Sequence, residues 1–397
     1  SSWDATTDDK IRVPSSTTAA AVSSHEDSIP RIRKRLLSFR RGMDLSDFDY
    51  PLPEERIAQR PLEDRAASRM LVVDRAARRW EDRTFREFPQ FLRPGDCLVL
   101  NDSKVFPARL FGRRAGVHAL PIGKKNPARK EYLKGRVEVL LVRPAPDDPK
   151  TWLALVHPGR KMRVGERIEF DEGLWAEITG RGTFGERTLR FDYPGDLFEK
   201  FNRIGHVPLP PYIKRADEAA DRERYQTVFA SNPGSVAAPT AGLHFTPEIL
   251  EQCRAAGAEI AYVTLHVGLG TFQPVRTERV EEHRLHPEFF AISEENAAKL
   301  RAARRVVAVG TTSVRTIESA VRGAGLVGSS GETSLYIYPG FEFQVTGALL
   351  TNFHLPRSSL LLLVSAFAGR ELILDAYRHA VASGYRFYSY GDCMLIL

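Results

Sequence analysis

The chain has 397 residues, 43% hydrophobic and 27% charged, a globular composition that excludes a disordered or fibrous protein; at about 150 residues per domain, two or three domains are expected. The longest apolar run, residues 360–364 extended by Ala366, Phe367 and Ala368, is far shorter than the ~20 residues of a membrane helix. Three cysteines (Cys97, Cys253 and Cys393) stand at no C-x-x-C or metal-ligand spacing, which argues against a disulfide scaffold and a cysteine zinc site and favours a reducing, intracellular setting, and the net charge of +7 permits a nucleic-acid partner.

Residues 1–30 are rich in Ser, Thr, Ala and Asp without apolar periodicity, and 31–41 form a basic run with no acid. Neither a transit peptide nor a secretory signal fits. Residues 1–42 are therefore read as a disordered basic tail outside the functional domain, in preference to a nucleic-acid-binding arm. From Met43 the pattern is ordered: a short helix over 53–59, a strand over 70–74, a helical or irregular stretch over 84–92, and a strand over 97–100 that stops at Asn101-Asp102. Between 109 and 200, short branched and aromatic runs (136–142, 152–156, 167–170, 175–178, 188–191) alternate with Gly and Pro turns. That spacing predicts a small antiparallel barrel or sandwich. Within it, the Lys-rich residues 115–134 read as a long loop.

The second half alternates elements: a helix over 247–256 with Pro247 in its first position, a strand over 259–265, and a helix over 293–304 capped by Ser293. A strand over 305–309, a helix over 314–322 and a strand over 348–352 follow, then helices over 358–368 and 372–383 and a last strand over 386–390. This order predicts an α/β domain with parallel strand pairs, whose ligands bind in the loops at the carboxyl ends of the strands.

Four such loops carry chemistry. Residues 236–245 pack small residues, Pro239, Thr240 and Gly242 among them, beside His244, which lets a ligand approach the backbone. Residues 264–272 place His266 at a strand end before Gly268, Gly270 and Thr271, but no third glycine opens a helix, so this is not the dinucleotide fingerprint. Residues 306–315 run from a strand through Thr311, Thr312 and Ser313 into a helix bearing Arg315. That turn suits an anion such as a carboxylate, although plain N-capping by Thr312 or Ser313 explains it locally. Residues 350–356 place Asn352 and His354 at a strand end before Pro356, either facing one cleft or packed in a turn.

These loops stand in colinear order with further motifs: Arg65-x-x-Ser68-Arg69, Asn101-Asp102-Ser103-Lys104-Val105, Pro107-Ala108-Arg109-Leu110-Phe111-Gly112, Ile204-Gly205-His206-Val207-Pro208-Leu209-Pro210-Pro211-Tyr212-Ile213, Tyr225-Gln226-Thr227-Val228, Tyr338-Pro339-Gly340-Phe341 and Tyr388-Ser389-Tyr390-Gly391-Asp392. From Met43 to the last residue the chain resembles the S-adenosylmethionine:tRNA ribosyltransferase-isomerases of queuosine biosynthesis. Residues 1–42 have no counterpart in that family's pattern, and 115–134 look like an insertion. The resemblance implies a large α/β domain (43–108 and 201–397) with a smaller all-β, barrel-like domain (109–200) inserted in it. It implies transfer of the ribosyl part of S-adenosylmethionine to 7-aminomethyl-7-deazaguanine at the tRNA wobble position. The sugar isomerises to give epoxyqueuosine-tRNA, and adenine and methionine leave. The implied partners are that tRNA and S-adenosylmethionine, consumed as ribosyl donor, with no metal and no membrane, in a cytoplasmic monomer.

Under this resemblance His244, His266 and His354 are the acid–base candidates, the first two favoured because small residues surround them. Gly268, Gly270, Thr271, Thr311, Thr312, Ser313 and Arg315 are expected toward S-adenosylmethionine. Arg315 and the neighbouring hydroxyls would hold its methionine carboxylate, unless Arg315 merely pairs with Glu318 along the helix. Asn101, Arg109, Pro239, Thr240, Gly242, Asn352, Tyr390 and Asp392 are expected toward the target base. Two rivals remain, a non-catalytic RNA-binding protein and a conventional methyltransferase, although no Gly-rich methyltransferase loop follows the first strand.

Overall fold

The structure, a computed structural model, describes residues 42–115, 135–145, 147–159, 162–182, 185–268, 275 and 277–397. The basic tail up to residue 41, residues 116–134 of the Lys-rich stretch, and Gly270 and Thr271 lie outside the described residues. Asp44–Leu397 forms one compact unit.

Its centre is a nine-stranded mixed sheet. The strands β1 (Arg69–Asp74), β2 (Arg79–Thr84) and β3 (Asp96–Asn101) come from the first hundred residues, followed by the short β4 (Ser103–Val105). β5 (Arg109–Arg114), β6 (Arg136–Pro144), β7 (Thr151–His157), β8 (Arg167–Phe170), β9 (Trp175–Arg181) and β10 (Glu186–Asp192) then form a separate closed barrel in the order β10-β7-β6-β5-β8-β9. The chain returns through β11 (Asn232–Ser235), which pairs with β4, and rejoins the large sheet with β12 (Glu259–Leu265), β13 (Glu288–Ile292), β14 (Arg305–Val309), β15 (Ser329–Thr333), β16 (Thr346–Asn352) and β17 (Cys393–Ile396). The large sheet runs β15-β13-β12-β3-β14-β16-β17-β1-β2. β12, β3, β14 and β16 are parallel neighbours, so their carboxyl ends share one edge.

Local sequence explains most of these elements. Leu98, Val99 and Leu100 of β3 and Val307, Ala308 and Val309 of β14 are buried almost completely, as continuous apolar runs in a sheet covered on both faces should be. The barrel strands instead alternate buried and exposed residues, and their inward side chains, Trp152, Phe170, Leu189 and Phe191 among them, form one core with Leu197 and Phe201 of helix α1 (Leu197–Ile204). Arg109 and His206 exchange both backbone hydrogen bonds (3.2 and 2.8 Å) where the chain passes into and out of the barrel. Thr246, Ser293 and Ser358 accept N–H groups in the first turns of α2 (Pro247–Ala255), α3 (Glu294–Ala302) and α5 (Ser359–Ala368). α6 (Arg370–Ala382) follows α5 directly.

Three expectations need correction. The helix expected over 314–322 spans Gly310–Ala324 (α4), so the polar turn is its first turn; Val309 is the N-cap and no side chain caps it. Gly310 makes this early start possible, because its φ of 85° is one that other residues adopt only with strain. The last strand is Cys393–Ile396, not 386–390, because the chain turns at Tyr388 (φ 72°) and the Asp392 carboxylate accepts the N–H groups of Arg69 and Arg386 at 2.9 and 2.8 Å. Of the helix expected over 53–59 only a single 3-10 turn, Glu54–Arg56, forms.

Candidate active site

A cavity of about 430 Å³ opens at the carboxyl ends of β12, β14 and β16, large enough for a nucleoside-sized molecule. Val267 after β12, Gly310, Thr311 and Thr312 after β14, and Asn352, Phe353 and His354 at the end of β16 all line it. Two further segments close over it: residues 237–241, with Pro239 and Thr240, and the tyrosines Tyr212, Tyr225 and Tyr388. Tyr212 and Tyr388 face each other with ring centroids 4.3 Å apart, and Tyr212 Oη lies 2.6 Å from Ser389 Oγ.

The lining is largely apolar, and several of its polar groups are unsatisfied. Thr312 Oγ1 and the hydroxyls of Tyr225 and Tyr388 are buried without a hydrogen-bond partner among the described residues. A buried hydroxyl left unpaired costs free energy unless a ligand satisfies it, so three such groups lining one cavity make it the candidate binding site. Two of its lining residues, Arg357 (φ 56°) and Tyr388 (φ 72°), hold left-handed backbone, which sterics disfavour for residues with a Cβ. The N–H groups of Gly310, Thr311 and Thr312, at the start of a 15-residue helix, have no intrahelical partner, and these three residues line the same cavity.

His354 is the histidine that lines this cavity. Its Nε2 lies 2.9 Å from Thr351 Oγ1, its backbone N–H donates to Tyr377 Oη, and its carbonyl accepts from Tyr50. With Nε2 so held, Nδ1 is the ring nitrogen available to a ligand, and whether it donates or accepts follows from the direction of the Thr351 bond. Burial pushes the imidazolium down to a pKa of about 3, so the ring is neutral at physiological pH. Among the described residues, no group of three or more His, Cys, Asp or Glu side chains is placed to hold a metal ion.

With this geometry established, relatives give it a context. The family described as queuosine biosynthesis protein matches residues 45–396 of the chain. The chain belongs to that family. It is 68% identical over 355 residues to the S-adenosylmethionine:tRNA ribosyltransferase-isomerase of Solibacter usitatus and 50% identical over 362 residues to that of Moorella thermoacetica; each alignment covers 89% of this chain and all of the relative. A crystal structure of S-adenosylmethionine tRNA ribosyltransferase from Thermotoga maritima is 40% identical, with 89% of this chain and 100% of that chain aligned at a TM-score of 0.49.

The other residues that the family pattern brought forward fall into distinct places. His244 lies behind the cavity wall. Its Nε2 donates to Asn352 Oδ1 at 3.2 Å, because the Asn352 amide nitrogen is itself occupied with the Tyr388 carbonyl (2.8 Å). Burial, with Arg65 and Arg386 nearby, lowers the His244 pKa to about 4, so Nδ1 is bare and accepts from Ser68 Oγ at 2.9 Å. Both nitrogens are thus committed to the protein. His266 sits apart, stacked on Phe289 at 5.6 Å with Nδ1 unpartnered among the described residues; burial lowers its pKa. Arg315 is 6% exposed and pairs with Glu288, not with Glu318, which instead holds Arg322 and three backbone N–H groups. The other carboxylate oxygen of Glu288 accepts the N–H of Gly268 at 2.8 Å. Ser313 donates back to the Val309 carbonyl at 2.7 Å.

Asn101 is a brace: its amide group bonds both backbone groups of Leu265 and the N–H of Ser103, locking β3 to β12. Arg109 meets Glu138 and the Leu209 carbonyl on the barrel side. Gly242 is packed against Phe229 and Thr227, where an added Cβ would come within 2.8 Å of either. Tyr390 donates to Asp221, and Asp392 holds the turn already described. Sequence reasoning passed over Tyr212, Tyr225 and Tyr388 as site residues, although each stands inside a motif. It also passed over Glu288, which no local pattern marks.

Proposed function

We propose that this chain is an S-adenosylmethionine:tRNA ribosyltransferase-isomerase, transferring and isomerising the ribosyl moiety onto 7-aminomethyl-7-deazaguanine at the tRNA wobble position, with loss of adenine and methionine. The observation that carries the reading is the match of the family over residues 45–396 and of relatives over 89% of the chain. The cavity supplies what the chemistry requires. A sulfonium substrate makes a neutral base and a water-poor site useful, and burial keeps His354 neutral. The free N–H groups of Gly310 to Thr312, with the Thr312 hydroxyl, would receive the methionine carboxylate. Arg315, tied to Glu288, would support that helix start from behind. The small residues 237–241 would admit a flat base, which must leave its stack to be modified. His354 is assigned the proton transfer, through Nδ1, with Thr351 orienting the ring; His244 is assigned a positioning role on Asn352.

The same reading makes residues 43–108 and 201–397 the catalytic domain and 109–200 an inserted domain, and it places the protein with its tRNA in the cytoplasm as a monomer. Among the described residues no helix is long and apolar enough to cross a membrane. The test is product analysis with S-adenosylmethionine and tRNA bearing the aminomethyl-deazaguanine. Free adenine and methionine are expected. S-adenosylhomocysteine would identify a methyltransferase instead, and RNA binding without turnover a binding protein.

A further inference from the structure

Beside the main cavity lies a second, small pocket of about 20 Å³, room for a water or one ligand oxygen. Arg65, Ser68, Arg224 and His244 line it, with Leu62 and Tyr390 at its sides. It touches the main cavity through Ser389, which lines both, and Tyr388 and Tyr390 on either side of Ser389 line one each. The His244–Asn352 hydrogen bond spans the wall between them.

The electrostatics of this pocket are unbalanced. Arg65 donates to the carbonyls of Gln226 (2.8 Å), Leu243 (3.2 Å) and Glu223 (2.9 Å); Arg224 donates to those of Glu63 (2.9 Å) and Leu62; and the neighbouring Arg386 donates to that of Arg60. All these acceptors are neutral. None of the three guanidiniums is in a salt bridge with a described carboxylate. The acids nearby are engaged elsewhere: Asp221 holds Arg215 and Tyr390, and Asp392 holds two backbone N–H groups. Arg224 Nε and Arg386 Nη1 are buried with no partner among the described residues. Elsewhere in this protein the buried Arg114 and Arg315 face a carboxylate, whereas the buried Arg187 is held, among the described residues, by backbone carbonyls. Converging cations without a salt-bridged carboxylate among the described residues, although Glu223 and Asp392 act on Arg65 and Arg386 from a distance, and with two unsatisfied donors, suit an oxyanion.

We infer that the Arg65–Arg224 pocket receives one non-bridging oxygen of a phosphodiester of the RNA substrate, next to the nucleotide that enters the main cavity. This rests on the ribosyltransferase reading for the identity of the RNA. A small molecule in the main cavity meets the His244–Asn352 wall before reaching the pocket, whereas a polymer lying across Ser389 spans both. Seating one phosphate there fixes the register of the strand relative to the cavity.

The test measures affinity for the substrate tRNA as a function of salt, with S-adenosylmethionine affinity and wild-type adenine release measured alongside. R65Q and R224Q should each weaken RNA binding about tenfold at roughly 0.15 M salt and make the log–log salt slope shallower by ~0.7–0.9, leaving S-adenosylmethionine affinity unchanged. Because the arginines also clamp backbone carbonyls, two controls separate charge from folding. R65K and R224K should keep the wild-type slope. Leu62→Glu, which adds a carboxylate while sparing every clamp, should reproduce the Gln variants. The inference is overturned if Leu62→Glu binds RNA with an unchanged slope, or if Lys and Gln variants lose affinity alike. It is also overturned if the loss falls on S-adenosylmethionine instead, which would assign the pocket to a carboxylate. Absent adenine release by the wild type, with RNA binding intact, would strike the ribosyltransferase reading and leave the phosphate site standing.

Discussion

The barrel and the strand-end cavity bury similar kinds of side chain and treat them oppositely. In the barrel every strand finds two neighbours, the aromatic core is closed, and the buried Arg114 faces Glu166. In the cavity, three buried hydroxyls lack partners among the described residues, two non-glycine residues hold left-handed backbone, and His354 is kept neutral by burial. The barrel therefore stores stability, and the cavity holds unsatisfied polar groups open to a ligand. Substitutions should separate the two regions by which observable they move.

The largest effect is expected in the barrel. Trp152 is 1% exposed and packs edge-to-face on Phe198 and Phe201, so Trp152→Ala should lower stability by about 3–5 kcal/mol in urea unfolding. Ligand affinity per folded molecule should stay near wild type; a selective loss of ligand affinity would break the division of labour. The mirror case is His354→Ala, which should reduce single-turnover adenine release by ~10²–10⁴-fold while a folded protein persists. A loss below about tenfold would reduce His354 to packing.

Next comes pH. Both buried histidines have folded pKa values, about 4 for His244 and about 3 for His354, below the unfolded value near 6.5. As pH falls below that value the unfolded chain takes up protons that the folded chain refuses. The stability these groups contribute is complete above about pH 6.5 and is lost as pH falls toward 4, at up to about 1.4 kcal/mol per pH unit for each. Replacing His244 by Gln should remove one proton from that slope, measured by urea unfolding at a series of pH values; an unchanged slope would show that His244 does not resist protonation.

The smallest effect is at the helix start. Thr312→Val removes an unpartnered hydroxyl without changing shape, so stability should hold or rise slightly. S-adenosylmethionine affinity should fall about three- to tenfold, the loss of one modest hydrogen bond, read by calorimetry. Equal affinity would mean that the hydroxyl meets no ligand.

Much of this architecture was legible in the chain. The runs of β3, β14 and β12 are apolar over lengths typical of central strands, and the alternation between 136 and 191 announced a β unit because a barrel strand has one wet face. Polar edge strands such as β2, with nearly every residue exposed, carried no such signal; their backbone pairs with a neighbour whatever the side chains are. The start of α4 was misplaced because Gly310 reads as a turn, whereas its positive φ opens the helix. The loop chemistry was visible as residue types at strand ends, since parallel topology gathers those ends on one edge.

Which of those residues line the cavity was decided by the tertiary structure alone. Sequence favoured His244 and His266 over His354, because small neighbours suggest access. In the fold His354 lines the cavity, Asn352 and Ser68 occupy both nitrogens of His244 from 108 and 176 residues away in sequence, and His266 stacks on Phe289 to one side. Arg315 looked like a free cation one helical turn into an anion site, until Glu288, brought from the neighbouring strand, took its charge. A residue's type and its place at a strand end are local facts that the sequence carries. Whether its polar atoms are already spent is set by partners far away along the chain, and only the packed fold brings those partners within hydrogen-bonding distance.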